Sequence, residues 1–145
     1  MNHPQEQLVV IGNGMAGMKT VEVLLSANPD KYQITVFGAE PYGNYNRIML
    51  SPVLCGEKDI KDIMINDQQW YTDNNITLHA GPDKEVVSIV RSTKHVVAKD
   101  GSRVAYDKLL IATGSNPYLL PIPGHDLEGV IGFRDIYDVK KMVAY

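Results

Sequence analysis

The sequence has little of what several protein classes require. Its 145 residues include one cysteine, Cys55, so the chain cannot form an internal disulfide, a C-x-x-C redox pair or a cysteine-based zinc site. Its apolar runs are short: Leu8–Ile11 and Leu109–Ala112 have four residues each. A membrane helix needs about 20 apolar residues. We therefore expect neither dithiol chemistry nor a membrane span.

Positive charge is also scarce. Fourteen Lys and Arg residues against seventeen Asp and Glu residues give a formal net charge of −3, which argues against binding to nucleic acid through phosphate neutralisation. Residues 1–8 lack the basic and then apolar pattern of a secretory signal, so we expect a cytoplasmic protein. The four histidines share no metal-ligand spacing, and no metal site is expected; they are His3, His79, His95 and His125.

The first third of the chain has the pattern of a strand-helix-strand unit. The apolar run Leu8–Ile11 predicts a strand buried on both faces, and apolar residues at helical spacing predict a helix over Met15–Ala27. The β-branched and aromatic run Ile34–Phe37 predicts a second strand at the distance that a parallel crossover requires.

The remaining pattern predicts a second crossover and a small antiparallel sheet. Residues 38–75 form the crossover, with two short helical possibilities, and Ile76–Ala80 follows as a strand. Three short β-rich pieces with a tight Asp100-Gly101 turn predict an antiparallel meander. The predicted elements are helical pieces at Lys58–Met64 and Asp67–Asp73, meander strands at Glu85–Arg91, His95–Ala98 and Arg103–Tyr106, a central parallel strand at Lys108–Ala112, a Pro-rich extended connector, a short strand at Val130–Phe133, and a last helix after Asp135. The fold class is α/β, a Rossmann-like parallel sheet with a small antiparallel β-meander.

The segment Gly12–Gly17, GNGMAG, is a G-x-G-x-x-G motif between the first strand and the first helix. Gly12 would allow the tight turn, and Gly14 would let the backbone approach a pyrophosphate. Gly17 would let the helix lie close to the strand. The helix N-terminus, from Met15, would offer amide donors and positive potential to the phosphates. The alternative is a glycine-rich turn that binds no ligand.

An acid near the end of the second strand would accept hydrogen bonds from an adenosine ribose. Glu40 lies 23 residues after Gly17, close to the usual spacing of about 20. No arginine lies between Gly38 and Gly43, which disfavours NADP because its ribose carries a 2′-phosphate. The alternative for Glu40 is a solvated loop residue.

Two further segments distinguish the sequence from an ordinary NAD dehydrogenase. The predicted strand Lys108–Ala112 ends in Ala112-Thr113-Gly114 and continues into a Pro-rich exit, and the segment Tyr45–Glu57 reads YNRIMLSPVLCGE. Together with the glycine motif, these segments resemble the flavoprotein pyridine-nucleotide reductase superfamily. Within it, they resemble the FAD domain of NAD(P)H-dependent nitrite reductase large subunits, with rubredoxin and ferredoxin reductases as relatives. The resemblance covers nearly the whole chain.

The resemblance implies particular cofactor contacts. The Ala112-Thr113-Gly114 strand end would close over FAD, and Ala16 would lie on the pyrophosphate turn. Val86 would offer its backbone to the adenine. Arg47 would face the phosphates or the flavin edge, and Arg134 would reach the flavin side. Surface ion pairs are the alternative for both arginines.

Some positions depart from the family pattern. Pro52 follows Ser51 where ferredoxin reductases usually carry a lysine, and Ala39 stands where the ribose acid commonly falls. The redox cysteines of other relatives would lie near Arg47, about eight residues before Cys55. We therefore expect Cys55 to be an inert buried thiol.

These features lead to an expected function. Residues 1–145 would be the FAD-binding domain of a larger NAD(P)H-dependent reductase, with the NAD domain absent and no catalytic acid or base in the chain. Electrons would pass from nicotinamide through flavin to an iron-sulfur or haem-type acceptor in a downstream domain or partner protein. The chain has no second G-x-G-x-x-G motif, so it would be incomplete for catalysis. The alternatives are a stand-alone nucleotide-binding module and a one-domain NAD dehydrogenase.

Overall fold

A computed structural model describes residues 5–145; His3 lies outside the described residues. The described chain contains nine strands and four α-helices. The strands are β1 (Glu6–Ile11), β2 (Tyr32–Gly38), β3 (Asn44–Tyr45), β4 (Met64–Asn66), β5 (Thr77–Ala80), β6 (Val86–Val90), β7 (His95–Ala98), β8 (Arg103–Ala105) and β9 (Lys108–Ile111). The helices are α1 (Met15–Ala27), α2 (Leu50–Leu54), α3 (Gln68–Asp73) and α4 (Ile136–Val143), with 3-10 turns at Arg47–Met49, Ile60–Ile63 and Pro82–Lys84.

The chain divides into two compact units. The first comprises the described residues up to Tyr45 together with Ile65–Gly114, and the second comprises Asn46–Met64 and Ser115–Tyr145. The first unit contains a four-stranded parallel sheet in the order β5-β2-β1-β9 and the antiparallel meander β6-β7-β8. The expected Rossmann-like fold with a small meander is thereby confirmed.

One strand differs from its predicted place. In the described chain β9 lies at an edge of the parallel sheet and not at its centre, because it pairs with β1 and no described strand pairs with its other side. Its exposure agrees with this position, since Ile111 is exposed. The apolar run predicted a central strand, but the order of strands in a sheet depends on pairings that a local pattern does not encode.

The core of the first unit occupies both faces of the parallel sheet. Leu8 and Val10 of β1 face one side, where Met18 and Val21 of α1 cover them, as does Tyr71 of α3. The alternate β1 residues, Val9 and Ile11, face the other side and pack against Phe37, Val96 and Ala98. Because successive side chains of a strand point to opposite faces, the unbroken apolar run of β1 indicates a strand covered on both sides.

The second unit contains α2 and α4, which pack against each other. A capping box begins α4: the Asp135 carboxylate accepts from the Asp138 N–H, and the Asp138 carboxylate accepts from the Asp135 N–H. The last helix therefore begins directly after Asp135, as predicted.

The short helical piece predicted at Lys58–Met64 is present as a 3-10 helix at Ile60–Ile63. Two other expectations for the second unit are wrong. Residues 130–133 do not form a strand. Cys55 is exposed and not buried, because it ends the five-residue helix α2 at the protein surface.

Candidate functional site

The Gly12–Gly17 turn joins β1 to α1 at the carboxyl edge of the parallel sheet. The Gly12 N–H donates to the Phe37 carbonyl of β2 at 2.8 Å, and Gly12 has a φ of +110°. A Cβ at this position would lie 2.2 Å from the Ala112 carbonyl oxygen. Gly12 is therefore required by the close approach of the chain after β9.

Gly17 has a different packing role. A Cβ there would lie 2.9 Å from the Gly12 carbonyl oxygen and 3.2 Å from the Ala112 Cβ. The first turn of α1 can thus lie against both the turn and the end of β9. This is the close packing between helix and strand that the third glycine of the motif predicts.

No packing contact in the described protein requires a glycine at position 14. Its φ of −95° and ψ of 178° are extended values that any residue adopts, and a Cβ there would meet no atom within 4 Å. Gly14 is the N-cap of α1, no side chain caps the helix, and the first turn has no acidic residue. The first amides of α1, from Met15, Ala16 and Gly17, therefore have no capping side chain and no acidic neighbour in the first turn at the positive end of the helix dipole.

This arrangement fits a pyrophosphate. The first N–H groups of a helix have no acceptor within the helix, and phosphate oxygens satisfy them at this end of the dipole. A glycine whose side-chain space is empty lets a phosphate approach the backbone.

Glu40 lies in the bend after β2, half-buried. The Tyr45 hydroxyl donates to its Oε2 at 2.6 Å, so the carboxylate is held by the protein and does not extend freely into solvent. Ala39, at the usual position of the ribose acid, is exposed. Glu40 is therefore not a freely solvated loop residue, and its contact with a ribose stays a prediction.

Val86, Ala112, Thr113 and Gly114 also belong to the first unit. Val86 begins β6 and packs against the cluster that contains Ile11 and Phe37, which are the last apolar side chains of β1 and β2. The Ala112 N–H donates to the Ile11 carbonyl at 2.8 Å, which brings the end of β9 to the glycine turn.

The two arginines lie in the second unit, and the structure brings them together. Arg47 Nη1 donates to the Arg134 carbonyl at 3.1 Å, and Arg134 Nε donates to the Ser115 carbonyl at 3.1 Å. The Arg134 N–H donates to Asp138 Oδ2 at 2.7 Å. Arg134 thus links Arg47, in the YNRIML segment, to Ser115, which follows the Ala-Thr-Gly segment, through hydrogen bonds.

Sequence reasoning missed the polar residues behind the glycine turn. Asn13, the variable second residue of the motif, donates through Nδ2 to the Tyr42 carbonyl at 3.0 Å and accepts through Oδ1 from the Tyr71 hydroxyl at 2.6 Å. Gly38 makes room for Asn13, since a Cβ there would lie 2.8 Å from the Asn13 Cβ. The crossover supplies Tyr42 and Tyr71, and no local pattern links them to the motif.

Comparison with known proteins agrees with this geometry. The family model for pyridine nucleotide-disulphide oxidoreductases matches residues 6–144. The chain belongs to this family. FAD and NAD(P)H are the cofactors that membership implies. The lone Cys55 shows that the chain itself carries no disulfide centre, despite the family's name.

Individual relatives are reductases. The chain is 52% identical over 141 residues to a nitrite reductase [NAD(P)H] of Bacillus subtilis, and 44% identical over 139 residues to an assimilatory nitrate reductase electron transfer subunit of the same organism. These matches cover 97% and 96% of this chain but only 17% and 18% of the relatives. The crystal structure of NADH:rubredoxin oxidoreductase from Clostridium acetobutylicum matches 94% of this chain and 34% of its own, with 29% identity and a TM-score of 0.80. No helix within residues 5–145 is long and apolar enough to cross a membrane.

Proposed function

We propose that residues 1–145 form the FAD-binding domain of an NAD(P)H-dependent reductase similar to nitrite reductase. Electrons would pass from nicotinamide through flavin to a metal-centre acceptor, in other domains or in a partner protein. The family match over residues 6–144 and the 52% identity to a nitrite reductase support this proposal. A cytoplasmic location is part of the proposal and rests on the sequence alone.

Gly14 carries the proposal. Gly12 and Gly17 have neighbours that require a glycine, whereas Gly14 has ordinary dihedral angles and no atom within 4 Å of a Cβ. A glycine at a helix N-terminus that the protein's own packing does not require is explained by a ligand that needs the backbone surface. The uncapped amides of α1 make that ligand an anion.

The residues of the chain would bind and orient FAD. The amides of Met15, Ala16 and Gly17 would hold the pyrophosphate, and Glu40 would accept from the ribose hydroxyls. Other contacts would be the Val86 backbone at the adenine, the strand end Ala112–Gly114 over the cofactor, and Arg47 and Arg134 at the phosphates or flavin. When bound, FAD supplies hydride acceptance and the release of single electrons. No side chain of the site needs to move a proton.

The substitution Gly14→Val tests the proposal. The new side chain would occupy the space beside the α1 amides, so we expect FAD and ADP affinity to fall by about 100-fold or more. The control is Ala27→Val, which introduces the same side chain at the exposed far end of the same helix. It should leave the affinity unchanged. Isothermal calorimetry gives the affinities, and circular dichroism confirms that both variants are folded.

Other outcomes would support other functions. Unchanged nucleotide affinity in a folded Gly14→Val variant would contradict the proposed site. ADP binding as tight as FAD binding, in a protein purified without flavin absorbance, would indicate a nucleotide-binding module. Oxidation of NADH by this chain with an organic substrate and no flavin would indicate an NAD dehydrogenase.

A further inference from the structure

Asn13 is held at both ends of its side-chain amide. Its Nδ2 donates to the Tyr42 carbonyl at 3.0 Å, and its Oδ1 accepts from the Tyr71 hydroxyl at 2.6 Å. Its Cβ lies where a side chain at position 38 would begin, and Gly38 leaves that space free. Asn13 stands between Gly12 and Gly14 in the phosphate-facing turn, so whatever fixes its side chain also fixes the peptide groups on either side of it.

The Tyr71 hydroxyl makes two bonds in the core. The Tyr71 side chain is 0% exposed, and its hydroxyl accepts from the Asn44 N–H at 3.1 Å while it donates to Asn13. Burial raises the pKa of Tyr71 to about 12, so the hydroxyl keeps its proton at neutral pH and remains a donor. A phenylalanine would fill the same apolar space, and the hydroxyl adds only these two polar contacts to the packing.

The same network returns to α1. Asn44 Nδ2 donates to Asn66 Oδ1 at 2.8 Å, and Asn66 Nδ2 donates to Glu22 Oε1 at 3.1 Å. The hydrogen bond from Asn66 lowers the pKa of Glu22, so this carboxylate is charged at neutral pH and can only accept. That acceptor determines the orientation of both amides. Residues of the crossover therefore form hydrogen bonds with Asn13 in the turn before α1 and with Glu22 in α1 itself.

The next residue of the crossover holds the other proposed FAD contact. Tyr45 follows Asn44 in β3, is 4% exposed, and donates its hydroxyl proton to Glu40 Oε2 at 2.6 Å. The segment 42–45, YGNY, thus supplies a carbonyl to Asn13, an N–H to Tyr71 and a hydroxyl to Glu40. The phosphate-facing turn and the ribose-facing acid are both positioned from this segment.

We propose that Tyr71 and Tyr45 are positioning residues for nucleotide binding, Tyr71 through Asn13 for the pyrophosphate and Tyr45 through Glu40 for the ribose. This inference rests on the proposed FAD site and adds to it how two of its contacts are held. Both hydroxyls are buried donors that bond to a residue of the turn or to the acid, and neither would touch the nucleotide.

A double-mutant cycle in the full 145-residue chain tests the role of Tyr71, with ADP as the ligand. The Tyr71→Phe variant loses one buried hydrogen bond to the turn, so we expect its Kd for ADP to rise roughly tenfold. In an Asn13→Ala background the same substitution should have little further effect, because Tyr71 acts through Asn13. If Tyr71 had only a structural role, the two substitutions would act independently and their fold-changes in Kd would multiply. Tyr32→Phe, a half-buried tyrosine at the other end of β2, should leave the Kd unchanged.

Tyr45 is tested by comparing ADP with 2′-deoxy-ADP. Glu40 would accept from the ribose 2′-hydroxyl. Tyr45→Phe should therefore weaken ADP binding about five- to tenfold and 2′-deoxy-ADP binding much less. Tyr71→Phe should weaken both ligands equally. Equal losses in the Tyr45→Phe variant would overturn the assignment of Tyr45 to the ribose.

The failure of this inference is separable from that of the proposed function. If the unchanged chain binds neither FAD nor ADP, the proposed function and the positioning roles fail together. If it binds both and the Kd values are the same in folded Tyr71→Phe and Tyr45→Phe variants, the FAD site stands and the positioning roles are wrong. Melting temperatures establish that the variants are folded.

Discussion

Gly12, Gly14 and Gly17 belong to one sequence motif, but different neighbours surround them. Gly12 faces a backbone carbonyl and has a positive φ, and Gly17 faces the turn and the Ala112 side chain. Gly14 faces space. The motif assigns a role to all three from spacing, and the structure separates the two whose neighbours require a glycine from Gly14, whose role in our proposal is to admit a phosphate. This separation is measurable, because stability and affinity should respond to different glycines.

We expect Gly12→Ala to destabilise the protein by roughly 3 kcal/mol, since it combines a strained positive φ with a Cβ placed on the Ala112 carbonyl. Gly14→Ala should cost less than about 1 kcal/mol, because its backbone is extended and its surroundings are empty. Urea denaturation of the two variants without nucleotide measures the difference. Equal losses of stability would show that the packing around the turn is not as described.

At the scale of elements, His79 links the neighbouring strands β5 and β2 near their carboxyl ends. His79 of β5 is paired in register with Phe37 of β2, and the two rings stack with centroids 4.7 Å apart. Burial lowers the pKa of His79, nearby Lys84 lowers it further, and Asp100 acts in the opposite direction. The folded protein therefore favours the neutral imidazole.

This pKa shift predicts a pH dependence of stability. The unfolded chain protonates His79 near pH 6.5, its ordinary pKa, whereas the folded protein does so at a lower pH. The contribution of His79 to the free energy of unfolding is therefore complete above pH 6.5. It decreases as the pH falls below that value, because the unfolded state then binds more protons. The melting temperature should fall between pH 7.5 and 5.5, and His79→Phe, which keeps a ring on Phe37, should reduce that fall.

The carboxylates with shifted pKa values do not obscure the His79 test. The hydrogen-bonded carboxylates Glu22 and Asp100 have lowered pKa values, so their contributions to stability are lost only below about pH 5, outside this range. If His79→Phe retains the full fall, the stacked imidazole is not its source.

At the scale of the whole molecule, ligand binding and stability are linked. A ligand that binds only the folded state adds about 2.7 kcal/mol of stability at 100 times its Kd. We expect FAD and ADP to raise the melting temperature of the chain, FAD more than ADP if Arg47 and Arg134 contact the flavin half. An Arg47→Ala variant should lower the stabilisation by FAD towards that by ADP. A reduction of both shifts by the same amount would place Arg47 outside the flavin contacts.

The sequence by itself determined the strand-helix-strand unit, the meander, the glycine turn and the acid after β2. Each of these depends on local periodicity, on a turn residue or on spacing along a short segment, as in the helix Met15–Ala27, which has the predicted bounds. The comparisons then confirmed the family that the motifs resemble.

Only the tertiary structure decided the order of the strands, the exposure of Cys55 and the contacts behind the site. The edge position of β9 and the absence of a strand at residues 130–133 depend on pairing between distant segments. The hydrogen bond from Tyr71 to Asn13 joins residues 58 positions apart. Such contacts leave no period or motif in the chain, because their energy depends on burial and on the geometry of a partner that folding alone brings near.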